Sequence, residues 1–536
     1  MRIGRGLAGT DQWRGVLCAA AISVLGCTGG QPNPPGPASA DSKSSAGDAG
    51  GYETVKRPDP IALNGPIFEG WTKPRVALVI SGVQNGYIEP CGCAGLENQK
   101  GGLARRCSFL KQQRGAGWQL ATLDVGGMIR RYGRQTEIKY EKSVDAYVKM
   151  GYDVLTFGAD DLHLPADALI STLENVADAK GRFVAANLGL LAIDDSVAAG
   201  WTSKFKVIER GGKRIGVTAV MGEQYRGGIT NQEVQFAPAA EAISTILPEL
   251  KSQADYLVLL AHATQAETIA LAQQFPDFDV VVTAEGGDEP PRQPRTIEGT
   301  KTLLIEVGHK GMFLSVLGLY DDPQQPWRYQ RVPLDHRFPD APEMKQVMAD
   351  YQAQLRQVWE ELGPSGLGLM PIMHPRGQET DDAALGQFAG AQSCKECHPT
   401  AFGIWSKTHH AQATETLTKL DPPRQFDPEC LSCHSTGWNP QEYFPYESGF
   451  LSLEKTPLLS GNGCENCHGP GGGHITAEKG KDLVRRDQLR AMMRLTKATA
   501  EQQVCHKCHD SDNSPKFHYP GAFETYWPKV EHKGKK

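Results

Sequence analysis

Four copies of Cys-Xaa-Xaa-Cys-His constrain this chain more than any other feature. They read Cys394-Lys-Glu-Cys397-His398, Cys430-Leu-Ser-Cys433-His434, Cys464-Glu-Asn-Cys467-His468 and Cys505-His-Lys-Cys508-His509, all in the last quarter. Two thiols three positions apart lie on one turn and can add to the two vinyl groups of one haem; the adjacent His then reaches the iron from the same side. A zinc site needs four converging ligands and has no use for a His directly after every second Cys. The pattern therefore predicts four haem c groups, attached at Cys394, Cys397, Cys430, Cys433, Cys464, Cys467, Cys505 and Cys508. His398, His434, His468 and His509 are the expected proximal ligands. With four porphyrins in so short a region, the core should be largely cofactor, the helices few, and the haems close enough for electron hopping.

Composition narrows the remainder. The 536 residues suffice for several domains, and the net charge of -6 is unpatterned. No basic stripe with interleaved aromatics appears, so nucleic acid is not an expected partner. Of 13 Cys, those outside the motifs are Cys18, Cys27, Cys91, Cys93 and Cys107.

Arg2, Arg5 and Arg14 precede an apolar run from Val16 to Gly26, too short to span a bilayer. Its end, Val24-Leu25-Gly26-Cys27, resembles a bacterial lipoprotein signal. The resemblance implies a signal peptide over 1–26, cleavage before Cys27 and lipidation of that Cys. The alternative is an ordinary secretory signal with a chance Cys. Residues 27–70 are mostly Gly, Pro, Ser, Ala and Asp early on and read as a disordered tether. Haem attachment of this type takes place outside the cytoplasm. The expected location is the periplasmic side of the bacterial cell envelope, lipid-anchored to a membrane.

Residues 75–335 alternate buried-strand runs, such as Val76–Ile80, Tyr256–Leu260 and Asp279–Thr283, with amphipathic helical stretches such as 137–150 and 239–253. This is the pattern of a layered α/β domain. Gly101-Gly-Leu-Ala-Arg105-Arg106, Gly151–Gly158, Ala185-Ala-Asn187 and Leu259-Leu-Ala-His262 resemble, in order, segments of the 5′-nucleotidase-type metallophosphatases. The resemblance implies a four-layer αββα sandwich. The two-metal chemistry of that family needs bridging carboxylate, His and Asn. Here the corresponding motifs read Val83-Gln84-Asn85, Gly126-Gly127, Gly158-Ala159-Asp160 with Asp161, and Ala284-Glu285-Gly286-Gly287, and His262 alone is retained. A lone His at a strand end is more often structural. A rebuilt metal site from Asp160, Asp161, His163, His262 and Glu285 is the competing reading, but the domain is expected to be non-catalytic. Cys91-Gly-Cys93, with Cys107 as a third partner, suits a redox dithiol or a soft metal. A disulfide to Cys107 with one spare thiol is the plain alternative.

Residues 340–388 read as a helix with Met344, Val347, Met348, Tyr351, Leu355 and Val358 on one face, then a linker in which His374 is expected to be solvated, the alternative being a haem ligand if the linker folds back. From about Phe388 to His532 the chain resembles the cytochrome c-554 family. The resemblance rests on Gly390–Cys394, Trp405–Ala411, Cys430–Trp438, Gly463–Gly471 with His474, and Tyr526–His532. It implies a mainly α/coil tetrahaem domain over 389–536, with His410 (in preference to His409), His474 and His532 as distal ligands. Three distal ligands for four irons leave one open, unless His518 fills it.

The expected function is electron transfer between redox partner proteins. Two alternatives stand beside it. One is an oxidoreductase acting on a small nitrogen compound at a five-coordinate haem; the other is a phosphoesterase or nucleotide-binding module. Iron ligation separates an electron carrier from a reductase or oxidase here, since bis-His iron has no position for a substrate.

Overall fold

The computed structural model describes residues 58–90, 99–131, 133–377, 385–511 and 513–532. The expected leader, most of the tether, and Cys27, Cys91 and Cys93 lie outside them. Twelve strands form among the described residues: β1 (Val76–Ser81), β2 (Leu120–Asp124), β3 (Leu188–Leu190), β4 (Phe205–Arg210), β5 (Lys213–Met221), β6 (Val234–Phe236), β7 (Tyr256–His262), β8 (Val280–Thr283), β9 (Arg295–Thr296), β10 (Leu303–Glu306), β11 (Phe313–Leu319) and β12 (Trp327–Pro333). They make one sheet of order β12-β11-β1-β2, a second of order β4-β5-β7-β8-β10-β9, and a short β3-β6 pair.

Alternation along β1 builds the layers, because successive side chains point to opposite faces. Val76, Leu78 and Ile80 share a buried cluster with Val217, Val258, Leu260 and Val282 of the second sheet. Ala77 and Val79 turn the other way, to Phe109, Leu110, Val144 and Tyr147 on helices Leu103–Gly115 and Arg134–Lys149. On the far side of the second sheet, Leu257, Leu259 and Val281 pack on Ile243, Leu250 and Leu271 of helices Ala239–Gln253 and Gln265–Gln274. The result is the αββα sandwich.

Helix Pro342–Leu362 lies against Arg134–Lys149 and Leu103–Gly115 with the apolar face read from the sequence: Met344, Val347, Tyr351 and Leu355 are buried. Its last turn extends the same core into the C-terminal region. Trp359 is 2 % exposed, stacks on Trp438 at 6.0 Å, and donates its indole N–H to the Leu451 carbonyl at 3.1 Å. Leu417, Leu431, Phe450 and Leu459 belong to this cluster as well. Beyond residue 390 the helices are short; Leu483–Met492, at 10 residues, is the longest described there. His374 differs from expectation. It is half-buried, with its ring against Tyr446 at 4.6 Å and Phe388 at 5.9 Å, because the linker folds back onto the C-terminal region.

Candidate functional site

Each attachment motif sits on a short helical turn, which sets its two Cys on one side. Pro428–His434 is held by a proline in its first turn and by the Asp427 carboxylate, which accepts the Glu429 N–H at 3.1 Å. His398 and His509 donate their backbone N–H to Cys394 and Cys505, at 2.9 Å in both cases, so each His follows one helical turn after its first Cys.

The ring nitrogens are sorted by their partners. Nδ1 of His434 faces the Ala413 carbonyl at 2.9 Å, that of His468 the Met493 carbonyl at 2.8 Å, and that of His509 the Ser514 hydroxyl at 2.8 Å. An imidazole that donates through Nδ1–H keeps its Nε2 lone pair for a metal. Burial lowers the His468, His474 and His410 pKa values and pushes His509 down to about 4, favouring the neutral, ligating form.

Three imidazole pairs form. His398 and His474 have ring centres 6.4 Å apart, His410 and His509 6.0 Å, and His468 and His532 5.6 Å. Two imidazoles bound to opposite sides of one metal, each at a metal–nitrogen distance of about 2 Å, hold their ring centres about 6 Å apart. The residues present therefore fit an iron between each pair. His409 is exposed, whereas His410 turns inward. His518 is exposed and its Nε2 faces the His509 carbonyl at 2.8 Å, so it is brought to the backbone of the fourth motif. Among the described residues no second imidazole pairs with His434.

The motifs also touch through their thiols. Cys394 is hydrogen-bonded to Cys464, and Cys433 to Cys508, while Cys467 lies within electrostatic reach of Cys505. In space the motif order is first, third, fourth, second.

The second motif is seated on the α/β body. Glu429, directly before Cys430, receives Lys139 at 2.6 Å and Arg131 at 3.3 Å. Asp427 accepts from the Gln135 and Gln352 amides at 3.1 and 2.8 Å, and Gln135 also reaches the Tyr351 hydroxyl at 3.1 Å. The Arg131 guanidinium lies 3.5 Å over the Tyr443 ring, and Tyr443 in turn lies within electrostatic reach of Cys433. Motif reading alone did not single out Lys139, Arg131, Gln135 or Gln352. On sequence they are polar positions of two helices, Arg134–Lys149 and Pro342–Leu362, and of the loop before the first.

In the α/β body the positions of the lost metal motifs are engaged otherwise. His262 donates Nδ1–H to the Val125 carbonyl at 2.9 Å and accepts the Ala159 N–H on Nε2 at 3.1 Å, so both nitrogens are occupied. The buried Asp161 accepts backbone N–H groups of Gly158, Gly127 and Ile129 at 2.7, 3.0 and 3.0 Å. His163 faces the Gly228 carbonyl at 3.2 Å, and Glu285 accepts the Gln265 N–H. Gly126, at φ 86°, lets the two loops close: a Cβ there would lie 2.5 Å from the Gly158 nitrogen. Asp160 is half-buried beside this cluster, and burial raises its pKa. Cys107 is buried, contacts the Glu343 carboxylate at 3.4 Å, and burial pushes its thiol up to about 12. Its expected partners Cys91 and Cys93 are outside the described residues.

Known proteins resemble separate parts of this chain. Residues 393–469 match the family "Cytochrome c554 and c-prime". Cytochrome c-554 of Nitrosomonas europaea is 30% identical over 172 residues, 27% of this chain and 66% of that protein. An apyrase of Tabanus yao is 22% identical over 250 residues, 42% of this chain and 41% of the apyrase. Among solved structures, the 5′-nucleotidase precursor of Thermus thermophilus is similar at a TM-score of 0.45 and 17% identity, over 53% of this chain and 60% of that one. The chain spans just under two thirds of the cytochrome and under half of the apyrase. The C-terminal region is therefore a c-type cytochrome segment, matching the cytochrome c554 and c-prime family over residues 393–469.

Proposed function

We propose that the protein is a cell-envelope electron carrier with four covalently attached haems and a non-catalytic α/β body. The observation that carries this reading is the set of three imidazole pairs at 5.6 to 6.4 Å, each joining a motif His to a distant His. Haem supplies one-electron chemistry when bound. The chain's own residues would attach it through the motif Cys and hold its iron through imidazole. Redox partner proteins are the expected donors and acceptors, with Cys27 as the lipid anchor to the membrane.

His398 with His474, His410 with His509, and His468 with His532 would each hold one haem iron. The fourth haem is assigned to His434 alone. The second reading, reaction of a small nitrogen compound at that haem, would require that no further side chain ligates its iron. The phosphoesterase reading is disfavoured by His262, whose Nε2 is already taken by the Ala159 N–H.

Haem quantitation with paramagnetic resonance tests the proposal. Four haems per chain, three low-spin and one high-spin, are expected. Fewer than four haems would overturn the carrier as described, and four low-spin haems would remove the open-iron reading. Release of a Cys27→Ala variant from cell membranes would support the anchor.

A further inference from the structure

We propose that Lys139 and Arg131, two cations of the α/β body, set the reduction potential of the haem attached at Cys430 and Cys433. The inference rests on reading the second motif as a haem site. Lys139 is unusual for a lysine: its side chain is 6% exposed. It projects from helix Arg134–Lys149, and its ammonium lies 2.6 Å from Glu429, the residue before the first attachment Cys of that motif. Arg131 reaches the same carboxylate from the preceding loop. Other charged or polar groups at this seam are accounted for. Asp427 is bonded by amides of Gln135 and Gln352, and Arg424 is paired with Glu89.

A bridge of this kind adds little to stability over apolar packing, because taking charges out of water offsets their attraction. Its field is another matter. Glu429 and Arg131 are 35% and 37% exposed and so partly screened, but Lys139 is buried, and a charge at a partly screened site still acts over several ångströms. A cation near a haem favours the reduced form and an anion the oxidised form. Lys139 and Arg131 more than offset Glu429, leaving one net positive charge, and keep the potential of this haem from falling. They are positioning residues, acting through Glu429 and through the seat of the attachment helix. The α/β body, without turnover of its own, thereby becomes part of the electron-transfer machinery.

The test is a spectroscopic redox titration of the full-length holoprotein and its variants, with the high-spin signal assigning the haem. In Lys139→Met the midpoint of one haem should fall by about 59 mV, a tenfold change in a one-electron equilibrium. In Glu429→Gln the same haem should rise, and Lys139→Arg should restore the unmodified value. Opposite signs from the two sides of one bridge are the discriminating result, since a merely structural bridge moves both variants the same way. Unchanged midpoints, or shifts of the same sign, overturn the proposal. Should Lys139→Met fail to load haem, Arg131→Met, at 37% side-chain exposure, serves in its place with the same expected sign. Fewer than four haems in the unmodified protein would instead overturn the underlying four-haem reading.

Discussion

His410 and His509 face each other with ring centres 6.0 Å apart, although one follows the first attachment motif and the other ends the fourth. His409 next to it is exposed. Replacing His410 by Ala should therefore convert one low-spin haem to high-spin in the resonance spectrum, while His409→Ala leaves the spectrum unchanged. Equal effects of the two substitutions would contradict the pairing.

Asp161 and His262 give opposite pH dependences to stability. Burial raises Asp161 to about 7, so folding favours its proton. Its contribution is full below the ordinary Asp range and is lost as pH rises through about 7. Burial lowers His262 to about 4, so its contribution is full above 6.5 and is lost as pH falls through about 4. Between pH 4 and 7 the two slopes oppose. Relative to the unmodified protein, Asp161→Asn should lose stability more steeply on acidification, and His262→Gln less steeply. Denaturant unfolding at a series of pH values reads both.

Trp359→Ala should destabilise the protein by about 3–5 kcal/mol, the usual loss for a large buried aromatic. The indole fills the junction between helix Pro342–Leu362 and Trp438 and also bonds the Leu451 carbonyl. Unfolding followed by tryptophan fluorescence and by haem absorbance should show both signals shifting together. A shift in one signal alone would mean that the two regions do not share a core.

Much of this was legible in the sequence because local pattern and structure coincide. The run Val76–Ile80 is a strand buried on both faces, and Met344, Val347, Tyr351 and Leu355 form the buried face of one helix. The attachment motifs carry their own chemistry in their spacing. What sequence could not supply was the partner of a polar face. Lys139 is a charged residue in an amphipathic helix, and nothing local says that Glu429 will cover it. His374 was likewise read from a Gly- and Pro-rich context, whereas Tyr446 and Phe388 enclose it from elsewhere in the chain. Both are decided by long-range packing, which periodicity does not encode.

Two thiol hydrogen bonds, and the proximity of Cys467 to Cys505, give the motifs a spatial order of first, third, fourth, second. Order along the chain is therefore not order in space. The two ends of the spatial order differ: Cys397 of the first motif is exposed, while the second motif abuts the α/β body through Glu429 and Lys139. If haems follow this order, the first and last of them have different protein surroundings.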